Sequence, residues 1–437
     1  MAIRCNIRKT LARQAPMNRY HSSSRTLAWV GLWTIVVSGL PNITWGQDAL
    51  QGTLQGDRAY RERNKPPTNL GDYHHIGAFS YFTSVSYGVE WRDNIFNSES
   101  SRHSDFIHRP GFDITGSLKI SDRSFLHLGF GAGYSQYMNT SGQNRFHIAP
   151  NSELAWDITA HDVLLTLYDR MTYSEDVLSQ SVITGVAAFP RFDNTLGMRA
   201  TWSPGRFVIQ GGYGHQTFLS SSATFTDSNR SAENFFERIG YKIAPETVVG
   251  IESTDAFTDY TEKTQHDNTS ISLGPYAEWR VTRSLTLSVR AGALHYTFQD
   301  IAGQPNLPSL SSYYGSFDIE HEVTSKIKQH LLLDRKVQQG LSQGGQYIQS
   351  SSVEYRIGWN FKPRASLSGN LFMEDGAETR AGISEPFSRF GTGIGISYEL
   401  LKKITPSLSY SYTQRSSKLA GRSYEVNGVT VYVSYRF

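Results

Sequence analysis

Apolar and polar residues alternate with period two through most of the chain after residue 76, in segment after segment. Val85, Tyr87, Val89 and Trp91 share one face, and Ser84, Ser86, Gly88, Glu90 and Arg92 the other. Phe112, Ile114, Gly116, Leu118 and Ile120 alternate with Asp113, Thr115, Ser117 and Lys119. Ile271, Leu273, Pro275, Ala277, Trp279 and Val281 oppose Ser272, Gly274, Tyr276, Glu278 and Arg280. Val353, Tyr355, Ile357, Trp359 and Phe361 oppose Ser352, Glu354, Arg356 and Asn360. Soluble strands average about 5–6 residues. These runs are longer, and match the tilted strand of about 9–11 residues that crosses a membrane.

The connections between runs are of two alternating kinds. Eight are tight: Ser121–Arg123, Ala160–Asp162, Ser203–Gly205, Ala244–Glu246, Thr282–Ser284, Thr324–Lys326, Lys362–Arg364 and Lys402–Lys403. Nine are longer and polar: Asp93–Asp105, Asn139–Gln143, Glu175–Pro190, Ser220–Ser231, Asp259–His266, Asp300–Ser309, Gln339–Gly345, Asp375–Ser384 and Ser416–Arg422. Short turns at one end and long loops at the other are the layout of an antiparallel up-and-down transmembrane β-barrel, here of about 18 strands, with 16 as the alternative. Composition agrees. Aromatics are 13% of the chain at a mean hydropathy of −0.40. A barrel wall can be both aromatic and polar, because alternate residues face lipid and lumen.

Residues 1–46 read as a secretory signal. Met1 to Arg25 carry Arg and Lys but no acid, the apolar run Leu27–Leu40 follows, and Thr44-Trp-Gly46 offers small residues for cleavage. The long basic region also fits a true start at Met17. Residues 47–75 read as a polar periplasmic lead-in and 76–437 as the barrel, with both termini periplasmic. Cys5 is the single cysteine, so the exported chain carries no disulfide. The net charge of +3 is too balanced to imply a nucleic-acid partner. The expected partners are outer-membrane lipid and lipopolysaccharide, the assembly machinery of that membrane, and a saccharide solute. The oligomeric state is left open. At the C-terminus Val429, Val431, Val433, Tyr435 and Phe437 form an unbroken apolar face. Val433, Tyr435 and Phe437 resemble the terminal signal that the outer-membrane insertion machinery reads.

No Gly-x-Ser-x-Gly elbow, phosphate loop, dinucleotide fingerprint or His-Glu-x-x-His helix is present. His161-Asp162 falls in a tight turn and His74-His75 precedes the first strand, neither of which suits a catalytic group. No enzyme, cofactor or metal is expected. Alternation instead directs charge to the lumen, where Glu90, Arg92, Glu278, Arg280, Arg290, Glu354 and Arg356 line water or pair with one another. Inward-facing Tyr276, Tyr314 and Tyr432 would suit a sugar. Within Glu175–Pro190, the stretch Val182-Ile-Thr-Gly-Val-Ala-Ala-Phe-Pro190 is too apolar for a solvated loop. Val182, Ile183, Val186 and Phe189 are therefore candidates for a constriction folded into the barrel. Contact with a neighbouring subunit or lipopolysaccharide, or a plain strand extension, are the other readings.

Tyr87-Gly-Val-Glu-Trp-Arg-Asp-Asn-Ile-Phe96, followed by Ser104-Asp-Phe-Ile107 and Pro110-Gly-Phe-Asp113, resembles the opening hairpin of the putative β-barrel porin 2 family. The motif covers that hairpin, and the rest of the chain matches in pattern. The resemblance implies an outer-membrane barrel; some members sit near exopolysaccharide export genes. Asp93 and Asn94 can end the first strand by bonding nearby backbone; a cation held with Asp105 is the other reading. The function expected is a channel for passive passage of hydrophilic solutes, with polysaccharide or oligosaccharide export as a specialised form. A plugged structural or adhesive barrel acting through its loops is the alternative.

Overall fold

The computed structural model describes residues 74–437, except 343, 381, 382 and 402. The signal sequence and nearly all of the lead-in lie outside the described residues. The strands are β1 (His74–Ile76), β2 (Phe79–Arg92), β3 (Asp105–Ser121), β4 (Ser124–Tyr137), β5 (Arg145–Ala160), β6 (Val163–Ser174), β7 (Arg191–Trp202), β8 (Phe207–Ser220), β9 (Arg230–Ala244) and β10 (Thr247–Tyr260). They continue with β11 (Asn268–Thr282), β12 (Leu285–Phe298), β13 (Leu310–Thr324), β14 (Ile327–Gln339), β15 (Gly345–Lys362), β16 (Ala365–Arg380), β17 (Ile383–Tyr398), β18 (Ile404–Ser417) and β19 (Tyr424–Arg436).

Each strand from β2 onward pairs antiparallel with the next, and β19 pairs with β2 from Gly428↔Arg92 to Arg436↔Ser84. The sheet therefore closes into an 18-stranded barrel with no free edge at the seam. The short β1 folds back on the start of β2, His74 opposite Tyr81. All eight tight turns lie at one end. Pro204-Gly205 shows why they are tight: proline presets the first turn residue, and Gly205 takes the left-handed φ of +59° that the second requires. One expected loop is not a loop. Asp375–Ser384 is mostly strand, with β16 running to Arg380 and β17 starting at Ile383. Its polar residues mislead because the strands project past the apolar belt, where polar side chains tolerate either face.

Parity sets the two faces of the wall. In β10, Glu252, Thr254, Ala256, Thr258 and Tyr260 are buried while Ile251, Phe257 and Asp259 are exposed. In β12, Arg290, Leu294, Tyr296 and Phe298 are buried and Val289 and Ala291 exposed. The outer face carries the large exposed apolar side chains, among them Ile239, Ile251, Leu273, Val289 and Trp279. Val289 and Ser288 are neighbours of opposite parity. Ser288 lies between Glu278 of β11 and Asp318 of β13 in register. Val289→Arg is expected to destabilise the folded barrel by about 2–4 kcal/mol, the cost of a cation near mid-depth. Ser288→Arg, flanked by two acids, should leave stability unchanged. Heat-modifiable gel mobility after denaturant titration measures both, and equal losses would contradict the assigned faces.

Candidate functional site: the barrel lumen and its inserts

At the loop end, two pieces of chain enter the lumen. The first is the segment between β6 and β7. Its base is closed by the Phe189 N–H donating to the Glu175 carbonyl at 2.9 Å. Val182, Ile183 and Phe189 are completely buried, and Val186 packs beside them. Their partners include Phe218 of β8, Ile348 of β15 and Phe387 of β17. In a ring of 18 strands β15 stands nearly opposite β7, so the segment crosses the bore. Burying each of these apolar side chains contributes roughly 1.5–3 kcal/mol.

Arginines of the far wall hold the crossing segment by its backbone. Arg389 donates to the Leu178 carbonyl. Arg415 Nε donates to Ser181 O at 2.7 Å, and Arg422 Nη2 to Val182 O at 2.6 Å. Asn97, from the loop after β2, receives the Gly185 N–H at 3.2 Å and donates to Val186 O at 3.3 Å. Each guanidinium is backed by a carboxylate: Arg389 by Glu374 at 3.0 Å, and Arg415 and Arg422 by Glu385 at 2.8 and 2.7 Å. The wall thus supplies paired cations whose remaining N–H groups satisfy carbonyls that would otherwise be buried without partners.

The second insert is the tip of the β14–β15 hairpin. The β13–β14 ladder ends at Gly315↔Arg335, whereas β14 stays paired with β15 to Gln339↔Tyr347. Beyond that fork the tip leans inward onto β10 and β11. Tyr260 Oη and Asn268 Nδ2 donate to Gln339 Oε1 at 3.0 and 3.1 Å. The His266 N–H donates to Gln346 Oε1 at 3.1 Å, and Gln265 Nε2 to Ser342 O at 3.3 Å. Leu341 and Ile348 of the tip join Val182 and Phe189 in one apolar cluster. The sequence reading had taken Gln339–Gly345 for an ordinary outer loop. Leu341 and the glutamines around it were the local signal, but their partners lie in β10 and β11.

Below the inserts the inward face is charged and internally paired. Glu90 bonds Arg92 at 2.6 Å and Arg109 at 3.0 Å, and Arg109 reaches Glu175 at 3.2 Å. Arg290 lies 3.7 Å from Glu252 and 3.8 Å from Glu278, and Arg238 bridges the same two acids. Arg356 pairs with Glu354 on its own strand. Arg280 sits at the turn-end rim with Glu246 at 3.0 Å. Of the seven charged residues singled out from sequence, Glu278 and Arg290 fall in one network and Glu90 and Arg92 in another, while Glu354–Arg356 and Arg280 stand apart. Arg109, Arg238 and Glu252 were the members those seven left out, and alternation alone marks each as inward.

Inward aromatic rings lie flat on the wall instead of projecting across the bore. Phe372 covers Gly391 of the next strand so closely that a Cβ there would meet its ring at 2.1 Å. Tyr276 covers Gly240 and Gly250 in the same way. Guanidinium groups stack on these rings, Arg238 on Tyr276 at 4.7 Å and Arg389 on Phe372 at 5.2 Å.

The seam residues of the opening hairpin have structural partners. Asp93 accepts from the Asn427 backbone and side-chain nitrogens, both at 2.7 Å. Asn94 donates to Ser98 O and Glu425 O. Asp105 takes the Asn139 and Thr140 N–H groups at 3.0 and 2.9 Å. These carboxylates act in separate backbone-binding arrangements, which is the strand-ending role expected of them. No cluster of metal-ligating side chains occurs among the described residues.

The family profile for putative beta-barrel porin 2 matches residues 69–437. The chain belongs to that family. It is therefore an integral outer-membrane barrel of porin type. No curated protein matches it significantly. Among solved structures it is similar to OccK2 (OpdF) of Pseudomonas aeruginosa in complex with glucuronate, at 10% identity and TM-score 0.47 over 82% of this chain and 98% of that one. A BenF-like porin of Pseudomonas fluorescens Pf-5 gives 10% identity and TM-score 0.48, covering 83% and 100%. OccAB3 of Acinetobacter baumannii gives 10% and 0.46, covering 83% and 100%.

The arginine contacts predict how this porin's crossing segment is held. Arg415→Ala with Arg422→Ala removes the donors to two consecutive carbonyls. Addition of a glutamate-specific protease to folded protein should cut at Glu175 much faster in the double variant than in the parent. Equal resistance, with barrel mobility on gels unchanged, would show that these bonds do not hold the segment.

Proposed function

We propose that this barrel is a passive channel for small hydrophilic solutes, narrowed at the loop end by the segment 175–190 and the β14–β15 tip. The observation that carries the reading is the crossing segment itself, tied to the far wall through Ser181 and Val182. Barrels of about 16–18 strands enclose an aqueous lumen unless something fills it. Here the filling is confined to chain that enters from the loop end, while Glu278 and Arg356 lower down keep 40% and 36% of their side-chain surface exposed. The family and fold favour a channel over an enzyme. In this reading the tight turns and both termini face the periplasm, and the apolar positions Val182, Ile183, Val186 and Phe189 form the constriction. Glu90, Arg92, Glu278, Arg280, Arg290, Glu354 and Arg356 line the solute path. The lining charges are largely neutralised in pairs, which suits uncharged solutes such as oligosaccharides better than it suits a strongly selective ion path.

Replacing 177–189 by a short Gly/Ser linker is expected to raise single-channel conductance in planar bilayers several-fold. Arg356→Gln with Arg280→Gln leaves Glu354 and Glu246 without cations, so the reversal potential should shift toward cation preference. A parent and a linker variant that both fail to conduct would favour a sealed structural barrel whose loops do the work.

We also infer that the last strand is the assembly signal. Val433, Tyr435 and Phe437 are 40%, 37% and 46% exposed on the outer face, and the Phe437 N–H closes the seam on Thr83 O at 3.1 Å. Phe437→Ser should lower the amount of barrel in fractionated outer membrane several-fold while leaving total synthesis unchanged. Normal insertion would remove this role.

A further inference from the structure

The outer face of the wall is apolar except in one sector. On β9 and β10, Glu237 is exposed and Asp255 half-exposed on the outward face, and neither makes a hydrogen bond or ion pair among the described residues. Both lie within the apolar belt. The cross-strand rows read Glu237–Ser253–Leu273 and Phe235–Asp255–Ile271, so each acid shares its level with exposed Leu273 or Ile271. Two more outward acids adjoin them. Glu233 is bonded by Tyr213 and His215, and Asp169 on β6 by Asn194 of β7. Carboxylates facing acyl chains are unfavourable, and unpaired ones more so.

The opposite charge stands elsewhere on the same face. Arg335 lies on β14 at the point where the β13–β14 ladder ends. Its guanidinium rests 4.3 Å over the ring of Tyr313, which is 60% exposed, and donates to Ser351 Oγ at 3.3 Å, with no carboxylate partner among the described residues. Arg335 is eight residues past Ile327, the first of β14, and Asp255 is eight past Thr247, the first of β10. Measured from the turn end, acid and base stand at the same level along their strands.

We propose that this sector is an interface with a second copy of the chain, in which Glu237 and Asp255 of one protomer meet Arg335 and Tyr313 of the next. Charge complementarity at equal depth selects a second copy over lipid. In the same bilayer two copies share one orientation, so groups at one level meet, and burial of the pair removes carboxylate and guanidinium from hydrocarbon together. The two patches differ, so the contact is head to tail and copies joined by it build a ring or a row. This inference is independent of whether the lumen conducts.

The test is native mass spectrometry of protein in lipid nanodiscs, with gel mobility reporting the folded barrel. The parent should be oligomeric. Glu237→Lys with Asp255→Lys should give folded monomers, and so should Arg335→Glu. Equimolar mixing of those two variants should restore hetero-oligomers, because the reversed charges complement across the contact, and failure to mix would overturn the pairing. A monomeric parent would overturn the proposal and leave lipid or a different protein over the acidic sector. An oligomer indifferent to both reversals would overturn it as well.

Discussion

Everything in this molecule depends on closing the backbone hydrogen-bond ladder. In hydrocarbon an unpaired N–H or C=O has no water to turn to, and a sheet that spans a membrane must end where it began. Here the ends meet in the β19–β2 pairing, pinned from the side by Asp93 on Asn427 and at the terminus by Phe437 on Thr83. Once closed, the ring assigns every residue to lipid or lumen by parity. The sequence then has only to place apolar side chains on odd positions of one strand and even positions of another.

The same constraint explains how the loop end is built. A segment that leaves the wall for the lumen carries its carbonyls away from any ladder. Arg389, Arg415 and Arg422 answer them, and Glu374 and Glu385 keep those guanidiniums from being buried alone. The β14–β15 tip uses neutral groups for the same task, with Gln339, Gln346 and Gln265 standing in for missing strand partners. The fork that frees this tip also ends the ladder beside Arg335, so inward occlusion and the irregular outer face of β14 have one cause.

Much of the architecture was legible in the residues. The Tyr87–Trp91 alternation, the Pro204-Gly205 turn and the terminal Val429–Phe437 face each stated strand, turn and sidedness without reference to any distant residue. The apolar stretch Val182–Phe189 announced that it needed burial, though its alternatives included a neighbouring subunit and lipopolysaccharide. The inward lean of Gln339–Gly345 was not legible, because nothing in that stretch specifies Tyr260 or Asn268 as its partner. Nor did the polar stretch Asp375–Ser384 reveal that it was strand, since beyond the apolar belt both faces of the wall are wet.

By itself, then, the sequence determined an up-and-down antiparallel barrel, its turn end and loop end, and the face of nearly every side chain. It could do so because those properties follow from a period of two and from local turn chemistry. Only the tertiary structure decided which arginines pair with which acids, that two inserts meet inside the bore, and that Glu237, Asp255 and Arg335 stand unpartnered at one level on the outside. Those features depend on the closure and register of eighteen strands, which bring together residues that no local pattern relates.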